Sequence, residues 1–192
     1  MDATPIPTKR WGRLEYERLV NRAIFQPGER VELVGGQLVV REPQGSPHAV
    51  AVRLAEDVIR AAFGSGWEVR GQMPVALDDE SEPEPDLAVC AGAARDYLAG
   101  HPSQPVLLIE VAEASLAFDR EHKGSLYARA QVPDYWIVNL LDRVLEVYRD
   151  PAPSAGAPYG WRFSALLRLG AADAVSPLAA PHARIPVAEL LP

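Results

Sequence analysis

At 192 residues the chain is long enough to bury about two-thirds of its unfolded surface, so one domain over residues 1–192 is expected. Apolar residues at 48% and charged residues at 23% exclude wholesale disorder and a fibrous architecture. No apolar run approaches the roughly 20 residues of a bilayer span, and Met1 to Arg10 lacks the apolar stretch of a secretory signal, so a cytoplasmic protein without membrane contact is expected.

The net charge of −7 argues against capture of nucleic acid over the whole surface. The charge is uneven, however. Asp78, Asp79, Glu80, Glu82, Glu84 and Asp86 crowd one stretch without a base, whereas Arg10, Arg13, Arg18, Arg22 and Arg30 gather near the N-terminus. A single cysteine, Cys90, excludes an intrachain disulfide framework and a cysteine-rich zinc site, and its apolar setting predicts a buried, inert thiol.

In chain order, Tyr16, Leu19, Val20, Ala23 and Ile24 have the spacing of one buried helical face, which should end near Pro27-Gly28. Two β-rich arms from Arg30 to Arg41 flank Gly35-Gly36, a pair able to supply the positive φ angles of a hairpin turn, with Glu32 in the first arm. Ser46 as N-cap and Pro47 then open a helix with the apolar stripe Ala51, Leu54, Ala55, Val58, Ile59 and Ala62, stopped at Gly64-Ser65-Gly66. Trp67, Val69, Met73, Val75 and Leu77 alternate as in a half-buried strand, with Pro74 marking an edge or bulge.

Leu87 to Cys90 and Val106 to Val111 suit central strands, with a short helix between them at Ala93 to Leu98. Asp119 to Ala130 reads as a helix. Asp134 to Asn139 and Val144 to Tyr148 read as strands around a turn at Asp142-Arg143. Pro151 to Gly160 reads as a loop, Trp161 to Leu169 as a further strand, and Pro186 to Leu191 as a closing helical turn. The order predicts an α/β sandwich: a central mixed β-sheet flanked by helices, with an N-terminal β-hairpin.

Two carboxylates stand where adjacent strands would present them, Asp86 opening one apolar run and Glu110 closing another in Leu108-Ile109-Glu110-Val111. A charge beside a buried strand must reach solvent, pair with a cation or bind a metal, because desolvating it alone is costly. Mg²⁺ or Mn²⁺ prefers carboxylate and carbonyl oxygens, which Asp86, Glu110 and the Val111 carbonyl would supply. On local chemistry alone, Glu32 serves equally as a solvated hairpin residue, Asp86 as a cap after Pro85, Glu110 as the partner of Lys123, and His48 as a surface or packing histidine.

The ordered series Glu82-Pro-Glu-Pro-Asp86, Ile109-Glu-Val111, Ser115, Asp119-Arg120, Lys123, Tyr127-Ala128 and Asp134-Tyr-Trp-Ile-Val138 resembles the Uma-type restriction endonuclease family. That family is expanded in cyanobacteria and was long catalogued as a domain of unknown function. The resemblance runs over about residues 16–148, with the hairpin at Glu32 to Gly36 and His48 in their usual places; residues 149–192 would add a C-terminal strand and tail. It implies the restriction-endonuclease-like fold of the PD-(D/E)XK superfamily and phosphodiester hydrolysis of DNA. By that resemblance Asp86, Glu110, Val111 and Glu32 hold Mg²⁺ or Mn²⁺. Lys123 stands in for the superfamily lysine, since Ala112 occupies the usual position two residues after the second acid. Gln72, His48 and Tyr127 would support the site, and a homodimer would let two sites address two strands. Ala114 departs from the hydroxyl residue common before Ser115. The competing readings are a catalytically silent nuclease-fold module binding metal or nucleic acid, and a glycoside hydrolase, for which neither a sugar platform nor a role for the lysine is in sight.

Overall fold

The computed structural model describes residues 8–41 and 44–192. Its centre is a six-stranded mixed sheet in the order β3 (Trp67–Gly71), β4 (Leu87–Ala91), β5 (Leu107–Ala112), β6 (Asp134–Asn139), β7 (Val144–Pro153) and β8 (Trp161–Leu169). Every neighbouring pair is antiparallel except β5 and β6, which are parallel. A parallel pair needs a crossover, and a helical run over residues 116–129, here α3, supplies it. Before the sheet come α1 (Arg13–Asn21), a separate hairpin of β1 (Val31–Val34) and β2 (Gln37–Val40), and α2 (Ser46–Phe63). After it, β9 (Ala174–Val175) pairs with β10 (Ile185–Pro186), ahead of a 3₁₀ turn at Val187–Leu190.

The sheet is covered on both faces, so its central strands are mostly apolar, with Glu110 in β5 and Asp134 and Asn139 at the ends of β6 as buried polar exceptions. Alternation sends Leu107, Ile109 and Val111 of β5 into one core with Ala51, Ala55 and Ile59 of α2 and with Val187 and Leu190 near the C-terminus. Leu108 and Ala112 enter a second core with Leu126 and Tyr127 of α3, Tyr135 and Ile137 of β6, and Ala88 and Cys90 of β4. The Cys90 thiol is buried, as its setting predicts, and burial pushes its pKa up to about 11. Tyr127, Tyr135 and Trp136 are core aromatics without exposed surface. Among the described residues, no helix is long and apolar enough to cross a membrane.

Several elements differ from the sequence reading. Helix α1 ends at Asn21 because Ala23 turns to a φ of 49°, and of its apolar stripe only Tyr16 is buried, its hydroxyl donating to the Val31 carbonyl at 2.6 Å. Val20 and Ile24 are 47% and 58% exposed, whereas Tyr16 packs with Val31 and Leu33 of the hairpin. Gly45, not Ser46, is the N-cap of α2, so Pro47 falls one position deeper. Strand β3 stops at Gly71, where Gln72 takes a φ of 52° and leaves Met73 exposed. The helix expected from Ala93 to Leu98 is a single 3₁₀ turn at Ala94–Tyr97. Strand β7 runs on through Pro151 to Pro153, shortening the loop before β8.

Helix α3 begins at Leu116, three residues before the expected Asp119, and contains a π turn at Asp119–Lys123 between α-helical turns at Leu116–Phe118 and Gly124–Arg129. Such single-turn widenings cluster at functional sites because the extra residue re-aims the side chains around it. Here it carries Asp119 and Lys123, both buried.

Candidate active site

Strand register explains why Asp86 and Glu110 meet. The β4–β5 pairing ends at Leu87 opposite Ile109, so one further step places Asp86 opposite Glu110. Both have the parity of Ala88 and Leu108 and face α3 rather than α2. The hairpin brings Glu32 over the same face, tied down by the Glu82 N–H donating to the Leu33 carbonyl at 2.8 Å and the Glu84 N–H donating to Glu32 Oε2 at 2.8 Å. From α3, Lys123 Nζ lies 3.0 Å from Glu110 Oε1, 3.3 Å from Glu32 Oε1 and 4.0 Å from Asp119 Oδ1. One turn on, the Tyr127 hydroxyl donates to the same Glu110 oxygen at 2.6 Å. Glu32, Asp86, Glu110, Asp119 and Lys123 line a cleft of about 310 Å³, together with Val111, Glu113, Ser115, Arg41, Gln44 and His48, while Tyr127 is buried.

All four residues read as catalytic are therefore brought together, each almost wholly buried. Val111 lies beside them, its N–H donating to Asp86 Oδ2 at 2.8 Å. His48 and Gln72 also reach the site, with His48 Nε2 at 3.3 Å and Gln72 Nε2 at 3.3 Å from Asp86 Oδ1. The left-handed backbone at Gln72 is what turns its amide back to Asp86, whose carbonyl accepts the Gln72 N–H at 3.0 Å. Strain at a non-glycine position persists where surrounding contacts over-determine it.

Two site residues, Arg41 and Gln44, lie outside the sequence reading, and a third, Asp119, stands there only as part of the motif series, without a role in the site. Arg41 places Nη2 3.1 Å from Asp86 Oδ1, and Gln44 Nε2 stands 3.5 Å from the same oxygen. Asp119 accepts from the Ser115 hydroxyl at 2.6 Å and completes the acidic surroundings of Lys123. The only signal for Arg41 was a charge ending the apolar arm Leu38-Val39-Val40. The acidic stretch, by contrast, does not lack bases: Asp78 pairs with Arg129, Glu80 with Arg10, Glu82 with Arg13, and Glu84 with Arg30 and Arg41. Part of the N-terminal arginine cluster is thereby spent on this loop.

The electrostatics divide the two strand acids. Burial pushes the Glu110 carboxyl up to about 8, against the pull of Lys123 and with reinforcement from Asp119 and Asp86. Burial would raise Asp86 too, but His48, Arg41 and the Val111 N–H hold its carboxyl down at about 2. For Lys123 burial works against the charge, yet Glu110, Glu32 and Asp119 keep its pKa above the ordinary value, so it remains an ammonium. Burial also raises Asp119, and the phenol of Tyr127 stays protonated.

The donor chemistry suits a hard divalent cation: carboxylates from β4, β5 and the hairpin line one cleft. Among the described residues, however, no three acids or histidines converge closely enough to hold an ion as the side chains stand. Protein cations stand among them instead, Lys123 between Glu32 and Glu110 and Arg41 on Asp86.

A family model described as "Putative restriction endonuclease", Uma2, matches residues 14–178. The chain belongs to this family. The fold agrees: a crystal structure titled as a putative nuclease belonging to DUF820 from Anabaena variabilis ATCC 29413 superposes with a TM-score of 0.66 over 97% of each chain, at 13% sequence identity. At that identity the likeness speaks for the restriction-endonuclease-like architecture of this Uma2 member and no more. No curated protein matches the chain.

Proposed function

We propose that this Uma2 protein is a divalent-metal-dependent endonuclease that hydrolyses phosphodiester bonds of DNA, working as a homodimer. The observation that carries the reading is the juxtaposition of Asp86 with Glu110 at the ends of two adjacent strands, both lining one cleft with Lys123, which together with Tyr127 is bonded to Glu110. The cleft's charge adds support. The carboxyls of Glu32, Asp86, Glu110, Glu113 and Asp119 outnumber the fixed cations Arg41 and Lys123, so the cleft offers a phosphodiester no net positive charge unless a further cation enters.

Asp86, Glu110, Glu32 and the Val111 carbonyl would hold Mg²⁺ or Mn²⁺. When bound there, the ion would make a water more acidic and neutralise charge on the phosphate. Lys123 keeps its proton, so it serves not as a base but as a fixed donor that orients the attacking water or stabilises the developing negative charge. Tyr127 fixes one oxygen of Glu110, and Gln72 and His48 orient Asp86. In the reaction, water oxygen bonds to phosphorus, a phosphorus–oxygen ester bond breaks, and the leaving alcohol takes up a proton.

Calorimetric titration of Mg²⁺ and Mn²⁺ into wild type and Asp86→Asn, with cleavage of plasmid and single-stranded DNA, tests the proposal. Cation-dependent cleavage lost in the variant is the expected result. Metal binding without cleavage of any substrate would favour a silent nuclease-fold module, and absence of both would overturn the metal reading.

A further inference from the structure

The Asp86 carboxylate is asymmetric in a way that catalysis by the strand acids and Lys123 does not explain. Its Oδ2 has one well-made partner, the Val111 N–H at 2.8 Å. Its Oδ1 has four donors, Arg41 at 3.1 Å, His48 and Gln72 at 3.3 Å, and Gln44 at 3.5 Å. A carboxylate oxygen satisfies about two strong bonds, and these contacts lie at or beyond the long end of the ordinary range. None is optimised, so this is the oxygen most readily surrendered to another ligand.

Arg41 is the one fixed cation among the four. Its backbone is pinned at the base of the hairpin, the Arg41 N–H donating to the Arg30 carbonyl at 2.8 Å. Its side chain is 11% exposed, and Nη1, 3.6 Å from Glu84 Oε2, has no hydrogen-bond partner among the described residues. A buried guanidinium cannot discharge by losing a proton, so an under-bonded one gains from any new acceptor or from moving toward one. Glu32, Glu84, Asp86 and Glu110 supply the field that holds it.

We infer that Arg41 is a built-in placeholder for the divalent cation, pairing with Asp86 Oδ1 when no metal is bound and leaving that oxygen when one enters. It is thus a positioning residue that sets the protein's metal affinity. The inference rests on the metal reading above, because a guanidinium competes with an ion only if the ion binds there. Two like charges on one carboxylate oxygen repel strongly in a buried site, so the two occupants exclude each other. The arrangement also keeps Asp86 compensated without metal, which a cleft rich in buried acids requires.

Calorimetry with Mn²⁺ on wild type, Arg41→Gln and Asp86→Asn separates the possibilities. The expected result is Mn²⁺ binding about tenfold or more tighter in Arg41→Gln than in wild type and lost in Asp86→Asn. Equal or weaker binding in Arg41→Gln overturns the placeholder while leaving the metal reading intact. No binding in wild type or in Arg41→Gln overturns both. A second measurement needs no variant and so survives misfolding of Arg41→Gln: phenylglyoxal modification of the wild-type protein, quantified at Arg41 by peptide mass spectrometry. Saturating Mg²⁺ should accelerate labelling severalfold by freeing the guanidinium; an unchanged or slower rate overturns the inference.

Discussion

Replacing Lys123 by methionine isolates the buried charge cluster, because the substitution keeps an unbranched chain of similar length and removes only the ammonium. The side chain of Lys123 is 4% exposed, and its three carboxylate neighbours Glu32, Glu110 and Asp119 are 2%, 3% and 3% exposed. Removing one partner from a buried ion pair typically costs about 3–5 kcal/mol, most of it the penalty of stranding the other charge. For a chain of this size each kcal/mol moves the melting temperature by about 2–4 °C, so Lys123→Met should melt about 6–20 °C lower at pH 8. Glu110, raised to about 8 by burial, favours its neutral form in the fold. Its contribution is therefore present below the unfolded carboxyl range and lost as pH rises through about 8. The deficit of Lys123→Met should accordingly shrink at pH 5, and adding Glu110→Gln should recover part of it. Circular dichroism melts at the two pH values read all three quantities. A Lys123→Met protein melting within about 2 °C of wild type at pH 8 would refute the account of Lys123 as the counter-ion of three buried acids.

Three further outcomes follow from other parts of the molecule. A Cβ on Gly35 would lie 2.2 Å from Tyr159 Cε1 at a φ of +55°, so Gly35→Ala should cost about 1–3 kcal/mol in urea unfolding, with partial recovery in Gly35→Ala/Tyr159→Ala. Burial would raise Glu146, but hydrogen bonds from Arg120, Asn139 and Tyr148 draw its carboxyl down to about 2. That stabilisation is present above the unfolded value and lost as pH falls through about 2, so the drop in melting temperature between pH 4.5 and pH 2 should be shallower in Glu146→Gln. The Cys90 thiol, raised to about 11 by burial, should react with an aromatic disulfide reagent only as the protein unfolds in denaturant, whereas prompt labelling in buffer would contradict its place in the core.

The strands that carry the two acids are legible in the amino-acid pattern alone. Leu87 to Cys90 and Leu107 to Ile109 are apolar throughout because both faces of the sheet are covered, and a carboxylate beside such a run, Asp86 before one and Glu110 after the other, announces itself. The Gly35-Gly36 hairpin was legible for an equally local reason, both glycines taking positive φ. Lys123 and Glu32 were named through the ordered motif series, not through any local property, since a lysine on an amphipathic helix and a glutamate on a hairpin are ordinarily solvated. Pairing at a distance belongs to the packed fold. Register put Asp86 opposite Glu110, the π turn gave α3 a geometry that helical periodicity does not encode, and the end of the hairpin carried Arg41 to an aspartate 45 residues away. The α1 stripe shows the same limit from the other side: its spacing is helical, but burial depends on which neighbour arrives, and the hairpin reached only Tyr16. Periodicity reports what a segment can bury, whereas packing between distant segments decides which charge meets which.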